Sequence, residues 1–276
     1  MNHTNDRPVI FLRGLLREQA HWGEFQQHVK KTLSNRPCLF IDTPGNGHFF
    51  EEKSPLHVRD ISLHIIEQLN ILIPPEQIVD IVSISMGGMI ALDLATLAPK
   101  RINTVILINS SLRNFSPFYH RLLPSVWGSL LMMCFSTAIG KELKILAITS
   151  NLKEHLLNTG TSKYKIISKK IINEWLSIRQ RHPVSLLNGI RQLIAAARYQ
   201  LNVKPNVNLA VINSTCDQLV DECCSSEIAK AWDIELHSHT WAGHDIALDD
   251  SQWLCEKIDF LLKKATKTFS GQSSFN

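Results

Sequence analysis

The chain has no apolar run of the roughly 18 residues that a membrane span needs. Its longest candidate, Val126 to Ile139, is interrupted by Gly128, Ser129, Ser136 and Thr137 and reads as a buried or lid helix. No CxxC pair occurs among the six cysteines (Cys38, Cys134, Cys216, Cys223, Cys224, Cys255). Vicinal Cys223 and Cys224 cannot form a relaxed disulfide with each other. These absences exclude a disulfide scaffold and lead us to expect free, mostly buried thiols in a reducing compartment. The twelve histidines do not fall near cysteines at ligand spacing, so no metal is expected. Met1 to Pro8 lacks the apolar centre of a signal peptide, and the expected location is the cytoplasm. What remains is the composition of an ordinary globular enzyme, 44% hydrophobic and 20% charged, with no internal repeat.

Acidic residues are scarce in one stretch. From Leu112 to Gln200 there are thirteen Lys and Arg against three acids (Glu142, Glu154, Glu174), a net charge of +10. The rest of the chain therefore carries −6 of the overall +4. Such asymmetry fits either an anionic partner or a solvated helical face. The stretch lacks any recognisable nucleic-acid module, which argues against nucleic acid as the partner.

Short apolar runs alternate with helical patterns, the signature of a parallel sheet covered by helices. Strands are expected at Val9–Arg13, Cys38–Asp42, Ile78–Ile84, Thr104–Asn109, Leu209–Thr215 and Ile234–His239. Helices are expected at Trp22–Leu33, Pro55–Leu72, Met86–Leu97, Glu222–Trp232 and Ser251–Lys264. Ile61, Ile65, Ile66, Leu69 and Leu72 recur at helical spacing and read as core. The alternation stops after Asn109. Residues 112–200 show helical patterns only (Lys141–Ile148, Lys165–Ile178, Val184–Tyr199), as expected for a cap over the strand ends, where ligands bind in such sheets. The core is then 1–111 with 201–265, and 266–276 is expected to be a polar tail without fixed structure.

Ser83-Ile84-Ser85-Met86-Gly87-Gly88 follows one of the apolar runs and opens a helical segment. A strand turning sharply into a helix through small-x-Ser-x-Gly lifts a serine hydroxyl clear of the sheet. The flanking residues must be small because strand and helix nearly touch there; Ser83 is a mild departure from the commoner glycine. Serine needs a general base, and the base an orienting acid. In this architecture the order is Ser, acid, His, with the acid after a late strand and the histidine after the last. Asp217 follows Leu209–Cys216, and His244 stands in Trp241-Ala242-Gly243-His244-Asp245. Asp221, Asp245, Asp249 and Asp250 rival Asp217; Asp245 adjoins the histidine, and its side chain should point away. His48 and His239 are the nearest competitors of His244. An oxyanion needs preorganised N–H donors. The backbone of Met86 should supply one, and that of Leu15, beyond the turn at Gly14, the other.

Together these residues resemble the α/β-hydrolase superfamily from Val9 to about Leu262. The landmarks are Leu12-Arg13-Gly14, Asp42-Thr43-Pro44-Gly45-Asn46-Gly47, the Ser85 elbow, Asp217-Gln218-Leu219-Val220 and Gly243-His244-Asp245. The resemblance implies an α/β-hydrolase fold: a mostly parallel sheet flanked by helices, with a helical cap inserted after the strand ending near Asn109. Two departures stand out. Arg13 occupies the place of a usual histidine, either to hold the loop or to meet an anionic substrate group. The leading antiparallel hairpin of the family is also expected to be missing. The chain is similar to small capped carboxylesterases, including the pimeloyl-acyl-carrier-protein methyl ester esterases of biotin synthesis. That similarity implies a small or carrier-linked ester substrate and docking of an acidic carrier protein. The candidate docking residues are Arg113, Arg121, Lys141, Lys144, Lys169, Lys170, Arg179, Arg181, Arg191 and Arg198. No cofactor is implied. The other readings are a lipase or lysophospholipase whose basic lid meets an anionic membrane, and a pseudo-hydrolase that only binds.

Overall fold

The computed structural model describes residues 7–161 and 163–272. The start of the polar N-terminal stretch, residues 1–6, and the end of the expected tail, residues 273–276, lie outside them. Six strands form one sheet: β1 (Val9–Leu12), β2 (Cys38–Ile41), β3 (Val79–Ile84), β4 (Ile102–Ile108), β5 (Asn208–Ser214) and β6 (Leu236–His239). Their order is β2-β1-β3-β4-β5-β6, and every neighbouring pair is parallel. The expected strands all occur, with ends shifted by up to two residues. No antiparallel strand joins the sheet among the described residues.

The central strands are apolar without alternation because both faces are covered. Period-two side chains still sort themselves. Ile10, Leu12, Ile81, Val105, Leu107 and Val211 pack toward α2 (Val58–Leu72), α3 (Met86–Leu97) and α10 (Cys223–Trp232). Phe11, Val82, Ile84, Ile106, Ile108 and Ile212 pack toward α1 (Phe25–Thr32) and α12 (Ser251–Gln272). The helix expected over Trp22–Leu33 is broken. A 3-10 turn at Gln19–Trp22 ends at Gly23, whose φ of 51° cannot continue a helix, and α1 begins only at Phe25. At the other end, α12 continues to Gln272, past Thr266, where the sequence suggested a tail. Thr266 Oγ1 donates to Leu262 O and accepts from the Arg7 guanidinium, so the polar segment is tied back to the start of the core.

Between β4 and β5 the described residues are helical, with no strand: α4 (Phe118–Arg121), α5 (Pro124–Met133), α6 (Ala138–Thr149), α7 (Leu152–Asn158), α8 (Tyr164–Arg181) and α9 (Leu186–Arg198). This insertion has its own small core of Leu146, Ile171, Ile172, Trp175 and Ile178. Among the described residues no helix is long and apolar enough to cross a membrane. The remaining short helix, α11 (Ile246–Asp249), leads from the last loop into α12. The chain passes from β1 outward to β2 and then crosses to β3 on the other side. The carboxyl ends of β1 and β3 therefore flank the point where the winding reverses, the place where open parallel sheets bind ligands.

Candidate active site

Ser85 stands at that point with φ 58° and ψ −124°, a left-handed conformation rare for a side chain with Cβ. Its backbone is held on both sides. Its N–H donates to Ile108 O at 2.9 Å, and its carbonyl accepts from Gly88 N–H at 2.9 Å and Ser110 Oγ at 2.8 Å. Gly87 must be glycine: a Cβ there would lie 2.7 Å from Leu12 O and 2.8 Å from Arg13 O. Ser83 fits the crowded strand end because its hydroxyl donates to Ile106 O at 3.0 Å. Gly14 lies against the serine itself, since its Cβ would sit 2.9 Å from Ser85 Cβ and 3.3 Å from Oγ.

The His244 Nδ1 lies 2.6 Å from Asp217 Oδ2, with both side chains buried. The other Asp217 oxygen accepts from the Leu219 and Val220 N–H groups at 2.8 and 3.0 Å. The carboxylate is thus fixed before it meets the ring. The rival acids face elsewhere. Asp221 meets His120, Asp245 meets Arg13, Asp249 accepts from Gly243 N–H, and Asp250 meets His239. His48 lies on Asp42. The Ser85 hydroxyl is not hydrogen-bonded to the imidazole; the two are brought to the same strand ends through Asn109. Ile108, which accepts from Ser85 N–H, precedes Asn109, whose Nδ2 donates to His244 O at 2.8 Å. Asn109 Oδ1 accepts from Ser214 N–H at 2.8 Å, and its φ is 45°. Sequence reasoning missed this residue. Its signal was an asparagine closing a strand, a residue type that tolerates positive φ.

The loop after β1 approaches from the other side. Among the described residues, neither the Leu15 nor the Met86 N–H donates to a protein acceptor. Leu16 has φ 60°, and its N–H donates to Gln192 Oε1 on α9 at 2.9 Å. Gln192 in turn donates to Ser54 Oγ at 3.0 Å. Arg13 makes a buried, two-pronged pair with Asp245, at 3.1 Å from Nη1 and 2.5 Å from Nη2, and lies over the Trp22 ring. Burial would raise the Asp245 carboxyl, but Arg13 outweighs it and holds the group below its ordinary range. Of the two roles open to Arg13, its geometry fits holding the loop. Arg17 lies over Trp175 and meets Glu142 at 3.3 Å, and Arg179 meets the same buried carboxylate at 2.6 Å. Burial lowers the Arg17 guanidinium to about 10.

The cap root is sewn to the histidine loop. Asp245 N–H donates to Thr149 O, and Asn151 Nδ2 donates to Cys216 O and Trp241 O. Asp249 accepts from the Ser150 hydroxyl and from the Asn151 and Gly243 N–H groups, yet burial still raises its carboxyl to about 6. A cavity of about 420 Å³ lies beside this seam, lined by residues that include Asn151, His155, Asp217 and Trp241 but neither Ser85 nor His244. Burial pushes the Cys223 and Cys255 thiols up to about 12 and Cys224 to about 11, away from the nucleophilic thiolate.

The ten candidate docking residues divide. Arg179 meets Glu142, Lys170 meets Glu24, Arg121 donates to Ala196 O, and Arg191 donates to Ser54 O. Three of these cations are taken up within the protein, while Lys170 pairs with Glu24 at the surface, both side chains exposed. Arg113, Lys169, Arg181 and Arg198 are exposed, and Lys141 and Lys144 are half-buried.

Known proteins give this geometry a context. One relative is the biotin biosynthesis bifunctional protein BioHC of Teredinibacter turnerae, 31% identical over 105 residues. That match spans 38% of this chain and only 17% of the bifunctional protein. Among solved structures, a meta-cleavage product hydrolase from Pseudomonas fluorescens IP01 superposes with a TM-score of 0.71 at 15% identity, covering 94% of this chain and 91% of that one. A thermophilic esterase from Thermogutta terrifontis gives 0.69 at 15% identity, over 94% and 90%. Residues 7–240 match the family described as alpha/beta hydrolase fold, and the chain belongs to that family.

Proposed function

We propose that this chain is a serine carboxylesterase acting through an acyl-enzyme. The observation that carries the reading is Ser85 held at positive φ, with Gly14 against its hydroxyl, in a site where Asp217 orients His244 at 2.6 Å. Ser85 Oγ attacks the ester carbonyl carbon while His244 Nε2 takes its proton. Serine and base need not touch without substrate, because such bonds tighten in the Michaelis complex. The tetrahedral oxyanion accepts from the Leu15 and Met86 N–H groups. As the carbon–oxygen bond to the leaving alcohol breaks, His244 returns the proton to that alcohol. Water then attacks the acyl carbon, gives a proton to His244, and the acid departs as Ser85 regains its hydrogen. The test is hydrolysis of short p-nitrophenyl esters. Wild type should release an initial burst equal to the enzyme concentration. Ser85→Ala should lose turnover by on the order of 10⁶-fold; full activity in that variant would overturn the reading.

The substrate we favour is an acyl-carrier-linked ester such as the pimeloyl methyl ester. The partial likeness to BioHC and the +10 charge of 112–200 support it. A second reading has its own observation. Residues 122–140 carry no charged side chain, and Trp127, Leu131, Met132, Phe135 and Ile139 are exposed there. A lipase or lysophospholipase could lay this face on an anionic membrane. That reading expects binding to phosphatidylglycerol vesicles, with a salt-sensitive part supplied by the lysines and arginines elsewhere in 112–200 and not by this uncharged face.

A further inference from the structure

The sequence offers no metal-ligand spacing because the relevant residues lie about a hundred positions apart. Folding brings His120, on α4 where the cap begins, against Asp221 in the loop after β5 and Cys223 at the first position of α10. The potential ligand atoms of these three all lie within 4.8 Å of one another. His120 Nδ1 is 3.0 Å from Asp221 Oδ2 and 2.9 Å from Cys223 Sγ. A ring nitrogen has one in-plane site, either a proton or a lone pair, and cannot hydrogen-bond well to both groups at once. The Asp221 carboxylate accepts from both the imidazole and the thiol, so all three groups face one another. The same three groups are potential metal ligands gathered within reach of a single ion.

The donors are also suitably oriented and accessible. Asp221 Oδ1 is already used, accepting from Cys223 N–H at 3.0 Å, which leaves Oδ2 directed at the cluster. The backbone fixes both sides: Asp221 N–H donates to His120 O at 2.9 Å and Leu123 N–H donates to Leu219 O at 3.0 Å. About a third of the His120 and Asp221 side chains is exposed, so a cation and a water can enter.

We propose that His120, Asp221 and Cys223 form a zinc site that staples the root of the cap to the loop carrying Asp217. Imidazole, carboxylate and thiolate together suit Zn²⁺ over Mg²⁺ or Ca²⁺, which favour oxygen ligands. Bond lengths of about 2.0–2.3 Å put tetrahedral ligands roughly 3.5 Å apart, so the side chains need to part by about half an ångström around the ion. On binding, the Cys223 S–H bond breaks, an S–Zn bond forms and the proton passes to solvent. Water fills the fourth position. The site is independent of the esterase reading, as no ligand belongs to the proposed catalytic set.

The experiment uses the full chain stripped with chelator and titrated with Zn²⁺ by calorimetry, then with Co²⁺ as a spectroscopic probe. We expect one equivalent bound, a higher melting temperature, and a thiolate-to-cobalt charge-transfer band. His120→Ala and Cys223→Ser should each weaken binding by more than about 100-fold, beyond the 10- to 100-fold typical of losing an outer-shell partner. Cys223→Ser should also abolish the band. Cys134→Ser, which removes an exposed thiol elsewhere, should change neither, and Ser85→Ala should bind zinc like wild type. Absence of the band from wild type, or unchanged binding in the two ligand variants, would overturn the proposal.

Discussion

At the scale of single residues, the site depends on atoms held where their own chemistry would not take them. Ser85 sits at positive φ, and two glycines keep backbone and hydroxyl clear of a Cβ. Asp217 has both oxygens engaged, one by backbone N–H groups and one by His244. Asp217→Asn should keep this shape but favour the wrong imidazole tautomer, lowering kcat by about 10⁴-fold. A loss below tenfold in p-nitrophenyl acetate assays would remove Asp217 from the proposed set. Asp249 gives a pH signature. Its folded carboxyl is raised to about 6 from an ordinary 3.8. The folded state therefore binds more protons than the unfolded state across that window. This contribution is full below about 3.8 and is lost as pH rises through about 6, at most roughly 3 kcal/mol. Urea unfolding from pH 4 to 7 should show wild type losing stability relative to Asp249→Asn; parallel curves would contradict it. Ser85, Asp217 and His244 were singled out in the sequence by their order along the chain, and the structure puts Asp217 on His244. Asn109 was not, because its importance lies in what two side-chain atoms reach across the sheet ends.

At the scale of elements, the loop after β1 is a junction. Gly14 touches the serine, Arg13 reaches the residue after His244, Leu16 hangs from α9, and Arg17 reaches Glu142 on α6. Arg13 and Asp245 are both about 5% exposed, so removing one partner leaves an unpaired buried charge. Arg13→Ala should cost about 3–5 kcal/mol in urea unfolding. The double variant Arg13→Met with Asp245→Leu should recover part of that loss, because two apolar groups leave no buried charge. An equal loss in the double variant would contradict this account. The strands and most helices followed from periodicity. The broken helix near Gly23 and the extension of α12 to Gln272 did not, since each depends on a backbone angle or a distant tie.

For the molecule as a whole, charge is divided between a basic insertion and an acidic remainder, but position decides which charges face outward. Reversing Lys169, Arg181 and Arg198 to Glu should weaken hydrolysis of an acyl-carrier ester while leaving p-nitrophenyl acetate turnover near wild type. Equal rates on the carrier-linked ester would remove the docking idea. Arg179→Glu should instead destabilise the fold, because it places a second acid beside buried Glu142. The sequence by itself determined the alternation of strands and helices, the sharp strand-to-helix turn at Ser85, and the order in which Ser85, Asp217 and His244 follow the strands, because these are local patterns read along one line. Tertiary structure alone decided that Arg13 is matched by Asp245, which basic side chains remain available, and that His120 meets Cys223. Each of those pairings joins residues far apart in the chain, and only closure of the sheet and seating of the cap bring them within a few ångströms.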